Sequence, residues 1–94
     1  MRIRAFRHKG LRRLYETDDS RGVPSTLRVR IIDILAIIEA APNVSRLGTF
    51  PGLRLHRLKG DLAAYWSLSV SGNWRIIFRV ESGEVFDLDL LDYH

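Results

Sequence analysis

The chain has 94 residues, 46% hydrophobic and 28% charged, which suits one small globular domain spanning residues 1–94. It has no cysteine, so disulfide scaffolds, thiolate metal sites and cysteine nucleophiles are excluded. The longest apolar run, residues 34–38, is too short to cross a bilayer, so we expect a cytoplasmic protein without a membrane partner.

The net charge of +4 is unevenly distributed: residues 1–30 carry +6, residues 31–80 carry +3 and residues 81–94 carry −5. Thirteen of the 15 basic residues are arginine, whose planar guanidinium suits phosphate. A basic surface of this kind is typical of nucleic-acid binding. The alternative is a solvated surface that an acidic C-terminal strand partly neutralises.

The first half of the chain predicts a short edge strand followed by two helices. Polar and apolar residues alternate over residues 2–6, as in a strand. Apolar residues recur at helical spacing over residues 9–16 and again over residues 25–40. Ser25 is the predicted N-cap of the second helix, and Pro42 ends it.

The second half predicts an antiparallel sheet. Alternation of period two covers four runs: residues 53–56, 66–70, 74–80 and 86–90. Short turns at residues 71–73 and 82–84 separate the last three runs, and turns this short join antiparallel neighbours. The predicted fold class is therefore α+β, with two N-terminal helices packed on one face of a curved, mainly antiparallel sheet.

The apolar faces of the last two runs predict how these strands pair. The pairing sets Phe78 opposite Phe86, Ile76 opposite Leu88 and Arg75 opposite Asp89, with Arg79 diagonal to Asp87. The last residues of the chain should then finish beside Arg75. Trp66 and Trp74 fall on the helix-facing side, so we expect them in the core.

Three clusters of polar residues, at 55–61, 71–75 and 92–94, suit phosphate chemistry. RNA cleavage by internal transesterification needs a group that takes the 2′-hydroxyl proton, cations beside the phosphorane, and a group that protonates the leaving 5′-oxygen. Histidine suits proton transfer, and lysine and arginine suit phosphate. The chain supplies His56, Lys59, Arg75 and His94, with Asp92 and Tyr93 as orienting or proton-handling groups.

Each of these residues also has a purely structural interpretation. His56 could be an ordinary surface residue, and residues 59–61 could be a turn. Arg75 could form a cross-strand ion pair with Asp89, and residues 92–94 could be a frayed end. The three histidines include no closely spaced pair and no nucleotide-binding loop is present, so neither a metal nor a cofactor is expected.

The motifs taken together resemble the HigB-type toxins of the RelE/ParE superfamily of toxin–antitoxin modules. The resemblance covers nearly the whole chain and rests on these segments: Phe6-Arg7-His8-Lys9-Gly10-Leu11, Gly22-Val23-Pro24, Leu55-His56-Arg57-Leu58-Lys59-Gly60-Asp61, Tyr65-Trp66-Ser67-Leu68, Val70-Ser71-Gly72-Asn73-Trp74-Arg75-Ile76 and Asp92-Tyr93-His94. It implies a RelE-like fold. The family's catalytic positions fall on His56, Lys59, Arg75, Asp92, Tyr93 and His94.

The resemblance also implies an activity and partners. HigB-type toxins are messenger RNA endoribonucleases that enter the A site of the small ribosomal subunit, and they leave a 2′,3′-cyclic phosphate without a metal. A cognate HigA-like helix-turn-helix antitoxin neutralises the toxin and brings it to operator DNA. Basic residues that would suit RNA and ribosome phosphates are Arg4, Arg7, Lys9, Arg12, Arg13 and Arg57.

Two other functions fit the same fold class. One is a toxin that is not a nuclease and inhibits a protein target such as DNA gyrase. The other is a plain nucleic-acid or antitoxin-binding module. Neither needs the histidine, lysine and arginine set, which favours the nuclease.

Overall fold

A computed structural model describes residues 1–92, and the predicted site residues Tyr93 and His94 lie outside the described residues. The elements in chain order are α1 (Lys9–Thr17), α2 (Arg28–Ala40), α3 (Val44–Leu47), β1 (His56–Arg57), β2 (Trp66–Ser71), β3 (Trp74–Glu81) and β4 (Glu84–Asp92). The strands form one antiparallel sheet in the order β1-β2-β3-β4. No helix within residues 1–92 is long and apolar enough to cross a membrane.

One face of the sheet packs against α1 and α2. Leu11 and Leu14 of α1 are buried, as are Ile31, Ile34 and Ile38 of α2. They join a core that includes the strand residues Leu68, Val70, Ile76, Phe78, Val85, Leu88 and Leu90. The two tryptophans of the sheet, Trp66 and Trp74, are half-buried and pack against this core. The predicted α+β arrangement is confirmed.

The segment of residues 2–6 runs along the outer edge of β4, parallel to it. Ile3 forms a single bridge with Val85, and Phe6 forms another with Leu88. The predicted edge position is correct, but a continuous strand is not formed. The reason lies in β4, where Asp87 has a positive φ of 55° between the two bridged residues and interrupts the ladder.

Helix α2 begins later than predicted, and Ser25 is not its N-cap. Residues Ser25–Leu27 form a 3₁₀ turn that continues directly into α2. The Leu27 N–H bonds to the Pro24 carbonyl at 3.0 Å, and Leu27 is buried. The turn therefore satisfies the first backbone donors in place of a capping side chain.

The stretch between α2 and β2 is less extended than predicted. Asn43, whose side chain accepts the Arg46 N–H at 3.1 Å, caps the short helix α3, which the sequence analysis did not predict. Arg54 has a positive φ of 49°, so the chain turns there. Of the strand predicted over residues 53–56, only His56 lies in a strand, β1.

The predicted register between β3 and β4 is wrong. The hairpin turns through two residues, Ser82 and Gly83, so Glu81 opposes Glu84. The bulge at Asp87 then shifts the pairing by one further residue. In consequence Arg79, and not the predicted Phe78, lies opposite Phe86, and Phe86 is half-buried outside the core cluster.

Helix α1 is fixed at its start by a backbone contact and a side-chain cap. A Cβ atom on Gly10 would lie 2.1 Å from the Gly22 carbonyl oxygen, so only glycine permits this approach. His8 is the N-cap, and its Nδ1 accepts the Leu11 N–H at 3.1 Å. These contacts give a physical reason for the glycines at residues 10 and 22.

Candidate active site

A cavity of about 40 Å³ opens on the sheet face opposite α1 and α2. It is lined by His56, Leu58, Ser67, Arg75 and Ile77. His56, Ser67 and Ile77 are direct partners across β1, β2 and β3, so their side chains project from the same face. The fold thus brings two predicted catalytic residues, His56 and Arg75, to one cavity.

Arg75 contributes an unpaired donor to the cavity. Its Nη1 is buried and has no hydrogen-bond partner among residues 1–92. The expected position opposite Asp89 is wrong, since Arg75 opposes Leu91 and Asp89 opposes Ile77. A buried donor without a partner costs about 1–3 kcal/mol. An anionic group such as phosphate would remove that cost through charge-assisted hydrogen bonds.

His56 is exposed at the mouth of the cavity and held by a local contact. Its Nδ1 lies 3.2 Å from the Arg54 carbonyl oxygen. A carbonyl oxygen only accepts, so Nδ1 carries the hydrogen in this contact. In the neutral imidazole the Nε2 lone pair is then the basic site. The positive φ of Arg54 makes the turn that brings this carbonyl to His56.

Lys59 and Asp92 lie near the cavity but do not line it. Lys59 is exposed and immediately precedes a 3₁₀ turn over Gly60–Leu62. Gly60 has a φ of 67°, so the turn interpretation of residues 59–61 is correct for the backbone. Asp92 is exposed at the end of β4 and pairs with Trp74, the neighbour of Arg75 in β3.

The basic residues expected to bind RNA are spread over different surfaces. Arg57 pairs with Trp66, and its guanidinium lies 5.1 Å from the indole centre, on the sheet face away from His56. Arg7 reaches the sheet face opposite α1 and α2, which we call the open face. There its Nη1 donates to the Tyr65 hydroxyl at 3.4 Å. Arg12 of α1 lies 3.8 Å from Glu16. The side chains of Arg4, Lys9 and Arg13 are exposed.

Ser67 is a site residue that the sequence analysis did not identify. It is 1% exposed and is the only polar or charged residue classed as buried within residues 1–92. Its small side chain leaves the space between His56 and Ile77 that becomes the cavity. The sequence feature that could have indicated Ser67 is its position on the polar side of β2, next to the buried Leu68.

A second cluster of charges lies further along the open face. Arg79 Nε donates to Asp87 Oδ2 at 2.8 Å, and its Nη1 contacts Glu81. The hydrogen bonds that Arg79 donates to these carboxylates raise its pKa above the ordinary value. Arg79 is therefore neutralised within the protein, whereas Arg75, which lines the cavity, has a buried Nη1 without a partner in the described chain.

Comparisons with known proteins show the family of the chain. The family model for the RelE-like toxin HigB of type II toxin–antitoxin systems matches residues 4–94. The chain belongs to this HigB family. It is 41% identical to the protein named Endoribonuclease HigB of Proteus vulgaris over 92 residues, covering 98% of this chain and 99% of that protein. It is 34% identical to Toxin HigB-1 of Vibrio cholerae over 79 residues, covering 83% of each.

Solved structures support the fold of this HigB family member. The YoeB/ParE toxin from Agrobacterium tumefaciens is similar with a TM-score of 0.57 and 20% identity, over 97% of this chain and 99% of that one. The YoeB-YefM complex from Staphylococcus aureus gives a TM-score of 0.56 and 14% identity, over 100% and 99%. At these identities the likeness concerns the fold alone.

All six catalytic positions expected of a HigB-type toxin fall within the matched range of residues 4–94. His56 and Arg75 share the cavity, and Lys59 and Asp92 lie in the adjoining loop and strand. Tyr93 and His94 lie outside the described residues. Within residues 1–92, no three histidine, aspartate or glutamate side chains are grouped so that they could hold a metal ion.

Proposed function

We propose that this chain is an endoribonuclease toxin that cuts messenger RNA in the A site of the small ribosomal subunit, in the cytoplasm and without a metal ion. The observation that carries the proposal is the cavity that His56 and Arg75 both line, together with the buried Nη1 of Arg75, which has no partner among residues 1–92. A proton-transfer group beside a cation suits phosphoryl transesterification. The name of the Proteus vulgaris relative supports the same activity.

The proposed reaction needs no group beyond the chain and the RNA. A base takes the proton of the ribose 2′-hydroxyl, and the 2′-oxygen attacks the adjacent phosphorus. The bond from phosphorus to the 5′-oxygen breaks, and an acid protonates that oxygen. The products are a 2′,3′-cyclic phosphate and a 5′-hydroxyl. His56 and His94 are the proposed proton carriers, and which one is the base stays open.

Cations and orienting groups complete the proposed site. Arg75 and Lys59 would stabilise the charge that develops on the phosphorane oxygens, which is strongest in the transition state. Asp92 and Tyr93 would orient the imidazole of His94 or the scissile nucleotide. Arg75 has the strongest support of the four, because it lines the cavity and its buried Nη1 has no partner among residues 1–92.

The resemblance to HigB-type toxins implies the proposed dependence on the ribosome, and the small size of the cavity suits it. A cavity of about 40 Å³ holds much less than a nucleotide, so most contacts that fix the RNA in an in-line geometry would come from outside it. The ribosome would hold the message in that geometry. The exposed cations Arg4, Lys9, Arg12 and Arg13, together with Arg7, would bind ribosomal RNA phosphates. Arg57, on the opposite face, would add a more distant phosphate contact.

The proposed protein partner is an antitoxin of the HigA-like helix-turn-helix kind. The family of type II toxin–antitoxin systems supports an antitoxin as partner. The similarity to the toxin in the YoeB-YefM complex from Staphylococcus aureus is consistent with it. The toxin would reach operator DNA only through this antitoxin.

The test is a cleavage assay on a 5′-labelled message, either free or programmed into the A site of stalled ribosomes, with a chelator present. We expect cleavage on ribosomes only, with a 2′,3′-cyclic phosphate end. Cleavage that stops with the chelator would contradict the metal-independent mechanism. No cleavage in either form, by protein shown to be folded, would contradict the nuclease and direct the search to protein targets such as DNA gyrase.

A second experiment tests the C-terminal histidine. We expect His94→Ala to abolish cleavage while the circular dichroism spectrum and melting temperature stay unchanged. His8→Ala is the histidine control, because His8 caps α1 rather than lining the cavity, and it should lose stability but keep activity. A His94→Ala variant that cleaves at the wild-type rate would contradict the proposed role.

A further inference from the structure

Asp89 lies on β4 beside a residue of the cavity lining. It lies directly opposite Ile77, which lines the cavity, so its side chain projects from the same face as that of Ile77. It is half-buried, and its Oδ1 accepts the N–H of Leu90 at 2.9 Å. This contact fixes the carboxylate and leaves Oδ2 available to a ligand.

The two aspartates in the middle of β4 have different surroundings. Asp87 is paired with Arg79, whose Nε lies 2.8 Å from its Oδ2. Asp89 forms no salt bridge with any residue in the described range of the chain. The Asp89 carboxylate is therefore available to a ligand on the open face, whereas the Asp87 carboxylate is occupied by Arg79.

Arg75 and Asp89 are neighbouring side chains of opposite charge on the open face. Arg75 opposes Leu91, so Asp89, two residues earlier in β4, is its diagonal neighbour at roughly 7–8 Å between Cα atoms. The two side chains have opposite charge but are not paired with each other. A ligand in front of Ile77 thus lies near a cation and an anion that are unpaired within residues 1–92.

A nucleotide has the matching polarity. Its phosphate is anionic, and the edge of its base carries hydrogen-bond donors when an amino group is present. The Asp89 carboxylate repels phosphate and accepts hydrogen bonds but cannot donate them. The sugar–phosphate backbone would therefore lie towards Arg75 and His56, with a base directed towards Asp89.

We propose that Asp89 is a specificity residue, which accepts a hydrogen bond from the exocyclic amino group of a base beside the cut. Adenine, cytosine and guanine carry such a group, whereas uracil presents a carbonyl oxygen where cytosine has its amino group. This assignment rests on the proposed RNA cleavage and adds to it the chemical class of base that the site selects.

The experiment uses messages in the ribosomal A site in which one adenosine, cytidine or guanosine near the cut is replaced at a time by the analogue that lacks the amino group: purine riboside, pyrimidin-2-one riboside or inosine. Initial rates are measured for the wild type, Asp89→Ala and Asp89→Asn. We expect the wild type to cut the message with the amino group about tenfold faster at one position. Asp89→Ala should lower that ratio to less than twofold, and Asp89→Asn, which keeps one acceptor, should give an intermediate ratio.

Asp33→Ala, an exposed carboxylate of α2, is the matched control and should keep the wild-type ratio. A wild-type ratio below twofold at every position would overturn the assignment without any variant, so misfolding of a variant cannot protect it. An unchanged ratio in Asp89→Ala would overturn it as well. Absence of cleavage by the wild type on every message would instead overturn the proposed nuclease, and the assignment with it.

Discussion

His56 and Arg75 line the same cavity although the whole of β2 separates their strands. The buried Ser67 of β2 lies between them, and its small side chain leaves the space that they share. The donor that Arg75 presents there has no partner in residues 1–92. The described part of the chain therefore leaves one buried donor of Arg75 unsatisfied beside this cavity, at a cost in stability.

This relationship predicts that loss of the Arg75 charge does not reduce stability. Arg75→Met should have a free energy of unfolding equal to the wild-type value or higher by up to about 2 kcal/mol, because an unsatisfied buried donor is removed. The measurement is urea denaturation followed by circular dichroism. Arg79→Met is the control and should lower stability, since Arg79 bonds to Asp87 and Glu81. A marked loss of stability in Arg75→Met would contradict this account.

The contact between Gly10 and Gly22 predicts a large effect of one methyl group. In Gly10→Ala the new Cβ would lie 2.1 Å from the Gly22 carbonyl oxygen, so the backbone must shift. We expect a loss of about 3 kcal/mol, or failure to fold, measured by thermal denaturation. Gly60→Ala is the control, because its added Cβ meets nothing within 4 Å. Its left-handed backbone alone should cost about 1 kcal/mol.

The bulge in β4 predicts which residues position 87 accepts. Asp87 has a φ of 55°, a region that asparagine adopts readily and a β-branched residue does not. Both Asp87→Asn and Asp87→Val remove the carboxylate that binds Arg79. The valine variant should therefore be less stable than the asparagine variant by about 1–2 kcal/mol in chemical denaturation. Equal stabilities of the two variants would count against a strained backbone at this residue.

The hydrogen bond between Tyr15 of α1 and Glu39 of α2 predicts a pH-dependent contribution to the free energy of unfolding. The Tyr15 hydroxyl donates to Glu39 Oε2 at 2.7 Å, and this hydrogen bond, with burial, raises the pKa of Tyr15 above its ordinary value. The folded state thus favours the neutral phenol. The contribution is fully present below about pH 10 and is lost as the pH rises through the higher folded value.

Tyr15→Phe should accordingly lower the free energy of unfolding at pH 7 by about 0.5 kcal/mol, since the bonded groups are exposed. The difference between wild type and variant should shrink at strongly alkaline pH. A difference that is independent of pH would show that the hydroxyl contributes by another route. The same denaturation series at pH 7 and above pH 10 provides both values.

Local sequence patterns were sufficient for most of the fold. Helical spacing predicted α1 and the body of α2, and alternation with short turns predicted the sheet. The predicted register between β3 and β4 was wrong because a two-residue turn and the bulge at Asp87 each shift the pairing. Neither shift strongly changes the alternation of polar and apolar residues along the strands. The prediction that α2 begins at Ser25 was wrong because a 3₁₀ turn with a buried Leu27 takes the place of a side-chain cap.

The site was predictable in its chemistry more than in its geometry. His56 and Arg75 were selected by residue type and by resemblance, and the strand order explains how they come to one cavity. Ser67 was missed because its burial depends on side chains of other strands, which the alternation of a single strand does not specify. Asp89 was placed opposite the wrong residue, so its position beside the cavity wall emerged only with the observed pairing.

The most direct test of the central claim is the cleavage rate of ribosome-bound message by Arg75→Gln and His56→Ala. We predict that each variant folds and cuts at least 100-fold more slowly than the wild type, because each removes a group that acts in the transition state. Arg28→Gln, at the exposed start of α2, should keep the wild-type rate. Wild-type rates in both cavity variants would contradict the assignment of the active site to this cavity.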